Sequence, residues 1–175
     1  MKIVQPPDFV IRSKNGTAGF LWDKKFAVRK NADFLKVQKY VDSTVLYKMK
    51  PYIPFRNGAL EKSAFTFTVI GSGEIRQYTP YARYLYYGKV YGPNFPVVEE
   101  NGVRRVVFGK YTGNGVIVGW VSPKGQRKHP TGRELKYDTT GKHHLAGKMW
   151  FERMKADRKK EILQGAAKVA GGTAE

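Results

Sequence analysis

From Lys24 to Lys50 the apolar residues recur at steps of three and four. Phe34, Val37, Val41, Val45 and Met49 form a stripe widened by Leu35 and Leu46, with Lys36, Lys39 and Lys48 off it. That period predicts a long amphipathic helix. Pro51 ends it, because the residue before a proline is pushed out of the α region. Asn31 or Asp33 is placed to cap or interrupt its first part. The stripe itself reads as core and carries no chemistry. After a stiff connector, Pro51 to Gly58, the period switches from helical to two. Phe65, Phe67 and Val69 share one face of Ala64–Ile70 and Thr66 and Thr68 share the other, which predicts a strand. Gly71-Ser72 is placed as a hairpin turn, with Gly73–Tyr78 returning as the partner strand. Thr79-Pro80 suits the start of a short helix, with threonine as N-cap and proline at the first helical position. Gly88 suits its left-handed end.

Helical periodicity disappears from Val90 to Thr140. Two valine-rich runs flank Asn101-Gly102 within Val97–Phe108, a strong hairpin signal, and Gly115–Val121 reads as a further strand. Ser122–Pro130 reads as a mobile basic loop. Helical spacing returns from about Gly147 to Lys168. Trp150, Phe151, Met154, Ile162 and Leu163 mark the apolar side and Glu152, Arg153, Lys155, Arg158, Lys159 and Lys160 the wet side. Before the first helix, Phe9–Arg12 suits a short strand, Asn15-Gly16 a turn, and Phe20-Leu21-Trp22 an apolar patch. Pro6-Pro7 disfavours regular structure at the start. There is no internal repeat. These elements predict an α+β fold: a small antiparallel sheet flanked by a long N-terminal helix and a C-terminal helix, with an inserted β-arm or long basic loop. The expected organisation is an N-terminal arm over 1–23 and a single domain over 24–175, with the insertion at about 90–140.

Charge changes the picture. The 175 residues carry a net charge of +18, with 41% hydrophobic residues, enough for a real core. Such a surface attracts nucleic acid, anionic lipid or an acidic protein, though charge says nothing about base specificity. The excess is concentrated: between Ile75 and Arg133 the only acidic residues are Glu99 and Glu100. The basic loop suits phosphate neutralisation, exposure to solvent, or an acidic partner. Five tyrosines lie between Tyr78 and Tyr87. They read as a stacking platform for bases, or as core and subunit contacts where a tyrosine buries its ring and keeps its hydroxyl wet.

Catalytic patterns are missing. The chain has no cysteine, which removes disulfides, thiolate zinc sites and cysteine nucleophiles together and fits a reducing compartment. His143-His144 are adjacent and His129 is remote, so no metal-ligand spacing exists. Gly71-Ser72-Gly73 and Gly113-Asn114-Gly115 match no phosphate-binding fingerprint, and there is no G-x-S-x-G elbow. Glu134 and Asp138 lie near the histidines in sequence, but a nuclease needs clustered carboxylates. The reading is non-enzymatic, without cofactor or metal. No apolar run approaches the ~18 residues needed to span a membrane. The first residues lack a signal-peptide apolar stretch, so synthesis in a cytoplasm is expected.

Three segments carry a family resemblance. The first is the long helix running into Pro51-Tyr52-Ile53-Pro54-Phe55-Arg56-Asn57-Gly58-Ala59-Leu60 with Ser63 nearby. The second is Tyr78-Thr79-Pro80-Tyr81-Ala82-Arg83-Tyr84. The third is Gly147-Lys148-Met149-Trp150-Phe151-Glu152-Arg153-Met154-Lys155-Ala156. In order and spacing they resemble the tail-completion or head–tail connector (neck) proteins of long-tailed bacteriophages, often labelled minor capsid proteins. Asn57 stands where that family usually has threonine, and the long basic segment from Val90 to Thr140 has no strong match to a family motif. The resemblance implies a structural virion protein, made in the host cytoplasm and placed at the neck. It implies a ring, commonly of six copies, joining the head-side connector or stopper to the tail tube or its terminator. Tyr81, Tyr84, Tyr86, Tyr87 and Trp120 are then candidate subunit contacts. Arg104, Arg105, Lys110, Lys124, Arg127, Lys128 and Arg133 are candidate contacts to DNA in the channel, without sequence preference, or to an acidic partner. The alternative is a free-standing basic nucleic-acid-binding protein using the tyrosine segment and the bases between 104 and 133.

Overall fold

The computed structural model describes residues 3–173. The fold is α+β, with small antiparallel sheets, a long N-terminal helix and a C-terminal helix. Strands β1 (Phe9–Ser13) and β2 (Gly16–Phe20) form a hairpin ahead of helix α1 (Phe26–Met49). The hairpin turn is Lys14-Asn15, since Ser13 pairs with Gly16. The expected Asn15-Gly16 apex is therefore displaced by one residue, and Gly16 opens the second strand. Helix α1 is continuous through Asn31 and Asp33. Asn31 does not cap it; its side chain instead exchanges two hydrogen bonds with the backbone of Ile3. The α-helix does end just before Pro51, at Met49, but Lys50 stays in the α region and Pro51 tightens the next residues into a 3-10 turn, Lys50–Tyr52, with proline in its first positions. That placement needs no backbone donor from proline.

The predicted central hairpin is absent. Residues 59–67 form helix α2 (Ala59–Phe67), and 68–78 run without regular pairing. Two signals outweigh the alternation. Gly58 adopts a left-handed φ of 77° at the helix start, with Glu61 in the first turn, where a carboxylate favours the positive end of the helix dipole. Leu60, Ser63 and Ala64 are buried at helical spacing, whereas Phe65 and Phe67 stay exposed. The irregular segment is held by one buried side chain. Asp42, itself buried on α1, accepts hydrogen bonds from Gly71 N (2.7 Å), Gly73 N (3.1 Å) and Gln38 Nε2 (2.7 Å).

Helix α3 (Ala82–Tyr87) starts later than expected. Tyr81, not Thr79, occupies its N-cap position; Thr79 contributes its carbonyl to Ala82 N, and its hydroxyl is not used as a cap. Gly88 ends the helix in the left-handed region, φ 69°. Strand β3 (Lys89–Gly92) pairs with β7 (His129–Glu134). Between them lies a second sheet of order β5-β4-β6, made of β4 (Phe95–Glu100), β5 (Val103–Val106) and β6 (Val116–Val121). Asn101 (φ 52°) and Gly102 (φ 77°) turn β4 into β5, the two left-handed residues that a two-residue I′ loop requires. His129 and Pro130, read as loop in the sequence, belong to β7.

The core cluster is small and lies at one place, with Val98 of β4 buried apart from it. Leu46, Met49, Tyr52, Ile53, Leu60, Ala64, Trp150, Met154 and Ile162 form it, contributed by the end of α1, the 3-10 turn and the residue after it, α2 and helix α4 (Trp150–Val169). Helices α1 and α4 run antiparallel, with Lys48 paired to Glu161 and Tyr52 Oη donating to Asp157 at 2.7 Å. Close approach continues to Gly165, where a Cβ would collide with the Tyr40 ring. The predicted stripe of α1 is buried only toward its end, while Phe34 and Leu35 remain exposed. On α4, Leu163 is exposed as well.

Asp42→Ala removes an acceptor that serves three donors. It is expected to destabilise the protein by roughly 1–3 kcal/mol and to raise hydrogen exchange at the Gly71 and Gly73 amides. Unchanged exchange there contradicts the clamp.

Candidate interaction surfaces

The sequence-nominated basic residues do not form one surface. Arg104 pairs with Glu99 and Arg105 with Glu100, one couple on each face of the β4–β5 ribbon. Their charges are largely offset by the only two acids of the segment. Lys110, Lys124 and Arg133 are exposed at separate points of the insertion. Arg127 and Lys128 are brought to a cleft of about 750 Å³ together with Arg83, Tyr84, Tyr91, Gln126, His129 and Pro130. Three elements build it: α3 supplies Arg83 and Tyr84, β3 supplies Tyr91, and the segment entering β7 supplies the rest.

The cleft is basic, and its lining includes no carboxylate. Among the described residues, no ion pair involves Arg83, Arg127 or Lys128. Lys128 Nζ donates to Asn94 Oδ1 and to Ser122 Oγ, both at 2.6 Å. These neutral acceptors fix the ammonium without cancelling its charge. The Tyr84 and Tyr91 rings meet at 4.7 Å between centroids, tilted by 59°, a packed aromatic pair. Arg83, Tyr91 and Asn94 escape a sequence reading of the site, since Asn94 lies 34 residues from Lys128.

The tyrosines divide among different roles. Tyr86 packs edge-on to Trp150 at 4.7 Å and joins the core margin, and burial pushes its hydroxyl pKa up. Tyr87 is half-exposed against the edge of Tyr86. Tyr81 lines a different cleft, about 620 Å³, with Phe55, Leu85 and Tyr137. Trp120 on β6 is 59% exposed. It belongs to a run of exposed apolar residues, Val116, Ile117, Val118, Trp120 and Val121.

A second polar cluster was not legible from the sequence. His143, 4% exposed, places Nδ1 2.8 Å from the Ile53 carbonyl and Nε2 3.4 Å from Glu61. A carbonyl only accepts, so Nδ1 carries a proton. Lys50 and Lys142 flank the same carboxylate at 3.7 and 4.0 Å. Phe55 packs on the imidazole at 4.8 Å. The cluster ties the segment before α4 to the connector and to α2, and its arrangement is that of a structural clasp.

Compared with known proteins, the chain matches no family model, no curated protein and no solved structure.

The far end of β7 is tied to the start of α4. Glu134 accepts from Lys148 Nζ at 2.8 Å, which holds its carboxyl below the usual range. The Lys48 hydrogen bond lowers Glu161 likewise. A carboxylate with a lowered folded pKa contributes stability above its unfolded value, near 4.5. That contribution is lost as pH falls through the folded value. The melting temperature is therefore expected to fall between about pH 5 and about pH 3, and the Lys48→Met, Lys148→Met double variant to show a flatter dependence. An identical acid profile for the variant contradicts the assignment.

Proposed function

We propose that this protein is a structural component of the head–tail joint of a long-tailed bacteriophage. It assembles as a ring of like copies, commonly six, between the head-side connector or stopper and the tail tube or its terminator. It acts without catalysis, in the neck of the virion. The observation that carries the reading is how little of the chain the core covers. All ten residues of β1 and β2 are exposed, including Phe9, Ile11 and Phe20, the last at 77%. A two-stranded hairpin alone is marginal in water, so this arm suits burial by a neighbour.

The β5-β4-β6 sheet supports the same reading. Among the described residues neither β5 nor β6 has a second strand neighbour. Strand β6, Val-Ile-Val-Gly-Trp-Val, has no charge and no proline along its free edge. Such an edge is a pairing hazard in a protein that works alone and an asset in one that assembles. A closed ring needs a heterologous interface whose two halves are different surfaces of one copy. The arm and the inserted sheet are two such surfaces. The three sequence motifs that resemble the phage neck family supply the biological setting.

The free-standing nucleic-acid-binding alternative draws on the basic cleft, but leaves the exposed apolar arm and β6 without a role. Native mass spectrometry of nuclease-treated protein over a concentration series, with negative-stain images, separates the two. Closed rings of one fixed subunit number are expected, with the subunit mass of 19.9 kDa setting the ladder. A compact monomer, alone and mixed with a connector, contradicts the proposal.

A further inference from the structure

We propose that the cleft between α3, β3 and the segment entering β7 grips the phosphodiester backbone of nucleic acid. The choice of DNA as the physiological ligand rests on the head–tail reading; the phosphodiester chemistry stands on the cleft itself. Arg83, Arg127 and Lys128 converge there from two separate parts of the chain, with no carboxylate in the lining. An ammonium has three protons to donate. Lys128 gives two of them to Asn94 and Ser122, which leaves one for a ligand and holds the nitrogen in place for it. Arginine guanidinium groups suit phosphate because their planar donors match its oxygens.

The walls are supported rather than loose. Gly88 O, at the end of α3, accepts from Leu135 N at 2.8 Å. Tyr137 Oη donates to Leu85 O at 2.5 Å, and Thr131 Oγ1 to Val90 O at 2.9 Å. These bonds tie α3, β3 and β7 into one frame. Tyr84 and Tyr91 add hydroxyl donors for phosphate and ring faces that tolerate any base. The net charge of +18 extends the attraction beyond the cleft. That favours a long polyanion, with one charge per ~3.4 Å of strand, over a single anionic group. The structure moves the expected contact away from Arg104 and Arg105, whose partners are Glu99 and Glu100.

The test is fluorescence anisotropy of a short labelled DNA of mixed sequence with the full chain, titrated at several salt concentrations. Two triple variants are compared: Arg83→Gln, Arg127→Gln, Lys128→Gln in the cleft, and Lys155→Gln, Lys159→Gln, Lys160→Gln on the exposed side of α4. Both lose three positive charges, so only position distinguishes them. The cleft variant is expected to bind roughly tenfold or more weakly, with the salt slope reduced by about one per lost phosphate contact. The α4 variant is expected to stay within about threefold of the natural chain. Polyglutamate and inorganic phosphate, at matched charge, should displace the DNA far less readily than unlabelled DNA does. Equal loss in the two variants means diffuse charge and overturns the site, as does no binding by the natural chain. Efficient displacement by polyglutamate assigns the cleft to an acidic protein, and by phosphate to a single anion; either overturns it. Circular dichroism confirms that the variants fold. Ring mass is read on the same samples. A natural chain that binds DNA through the cleft but forms no rings supports the site while overturning the neck reading.

Discussion

Trp150 is the contact on which the rest of the structure depends. It is buried at the first turn of α4, its indole nitrogen donates to Gln77 Oε1 at 2.9 Å, and Tyr86 meets it edge-on. One side chain thus ties the closing helix to the irregular 68–78 segment and to α3. Backbone bonds reinforce the joint: Met149 N donates to Tyr86 O at 2.8 Å and Gly147 N to Tyr52 O at 3.3 Å. Met149 accepts a left-handed conformation there, φ 50°, a strained choice for a residue with a side chain. The basic cleft hangs from this joint, because α3 carries both Tyr86 inward and Arg83 and Tyr84 outward. Loss of the indole leaves a large cavity, of the kind that costs about 3–5 kcal/mol, and would loosen the cleft with the core.

A core confined to the α1–α2–α4 bend leaves the periphery to be stabilised from outside. The arm, the first half of α1 and the β5-β4-β6 sheet all present large apolar side chains to solvent. A protein this basic repels its own copies over a distance, so any self-assembly must rely on short-range apolar contacts at uncharged places. Strand β6 is such a place, and the two strands of the arm carry a single charge, Arg12. The basic cleft lies on the α3–β3–β7 frame and borders the end of β6, where Ser122 accepts from Lys128. The proposed assembly strand and the proposed polyanion cleft are thus neighbours on one small fold.

How much was legible depended on whether the signal was local. The α1 and α4 helices were readable because their stripes run over many turns, and the α+β class followed from them. The Asn101-Gly102 hairpin was readable because two residues specify its turn. The central strand was misread because Phe65, Phe67 and Val69 alternate for only a few residues. Burial of Leu60, Ser63 and Ala64, the first and last in the core shared with α4, decides the matter, and that is tertiary. The same limit hid the Asp42 clamp, the His143–Glu61 clasp and the Lys128–Asn94 contact. Each joins residues far apart in the chain and leaves no local pattern. The pairing of Arg104 with Glu99 and of Arg105 with Glu100 was hidden as well, because a count of charges does not reveal which are paired across a hairpin.

The most direct measurement of the central claim, that the arm and the inserted sheet are assembly surfaces, is hydrogen exchange with mass spectrometry on dilute protomers and on assembled rings. Amides of 9–20 and 116–121 are predicted to exchange quickly in the protomer and to become protected in the ring, while the first turns of α4 around Trp150 stay slow in both. Equal exchange of those two segments in the two states, or protection already complete in the protomer, would contradict it.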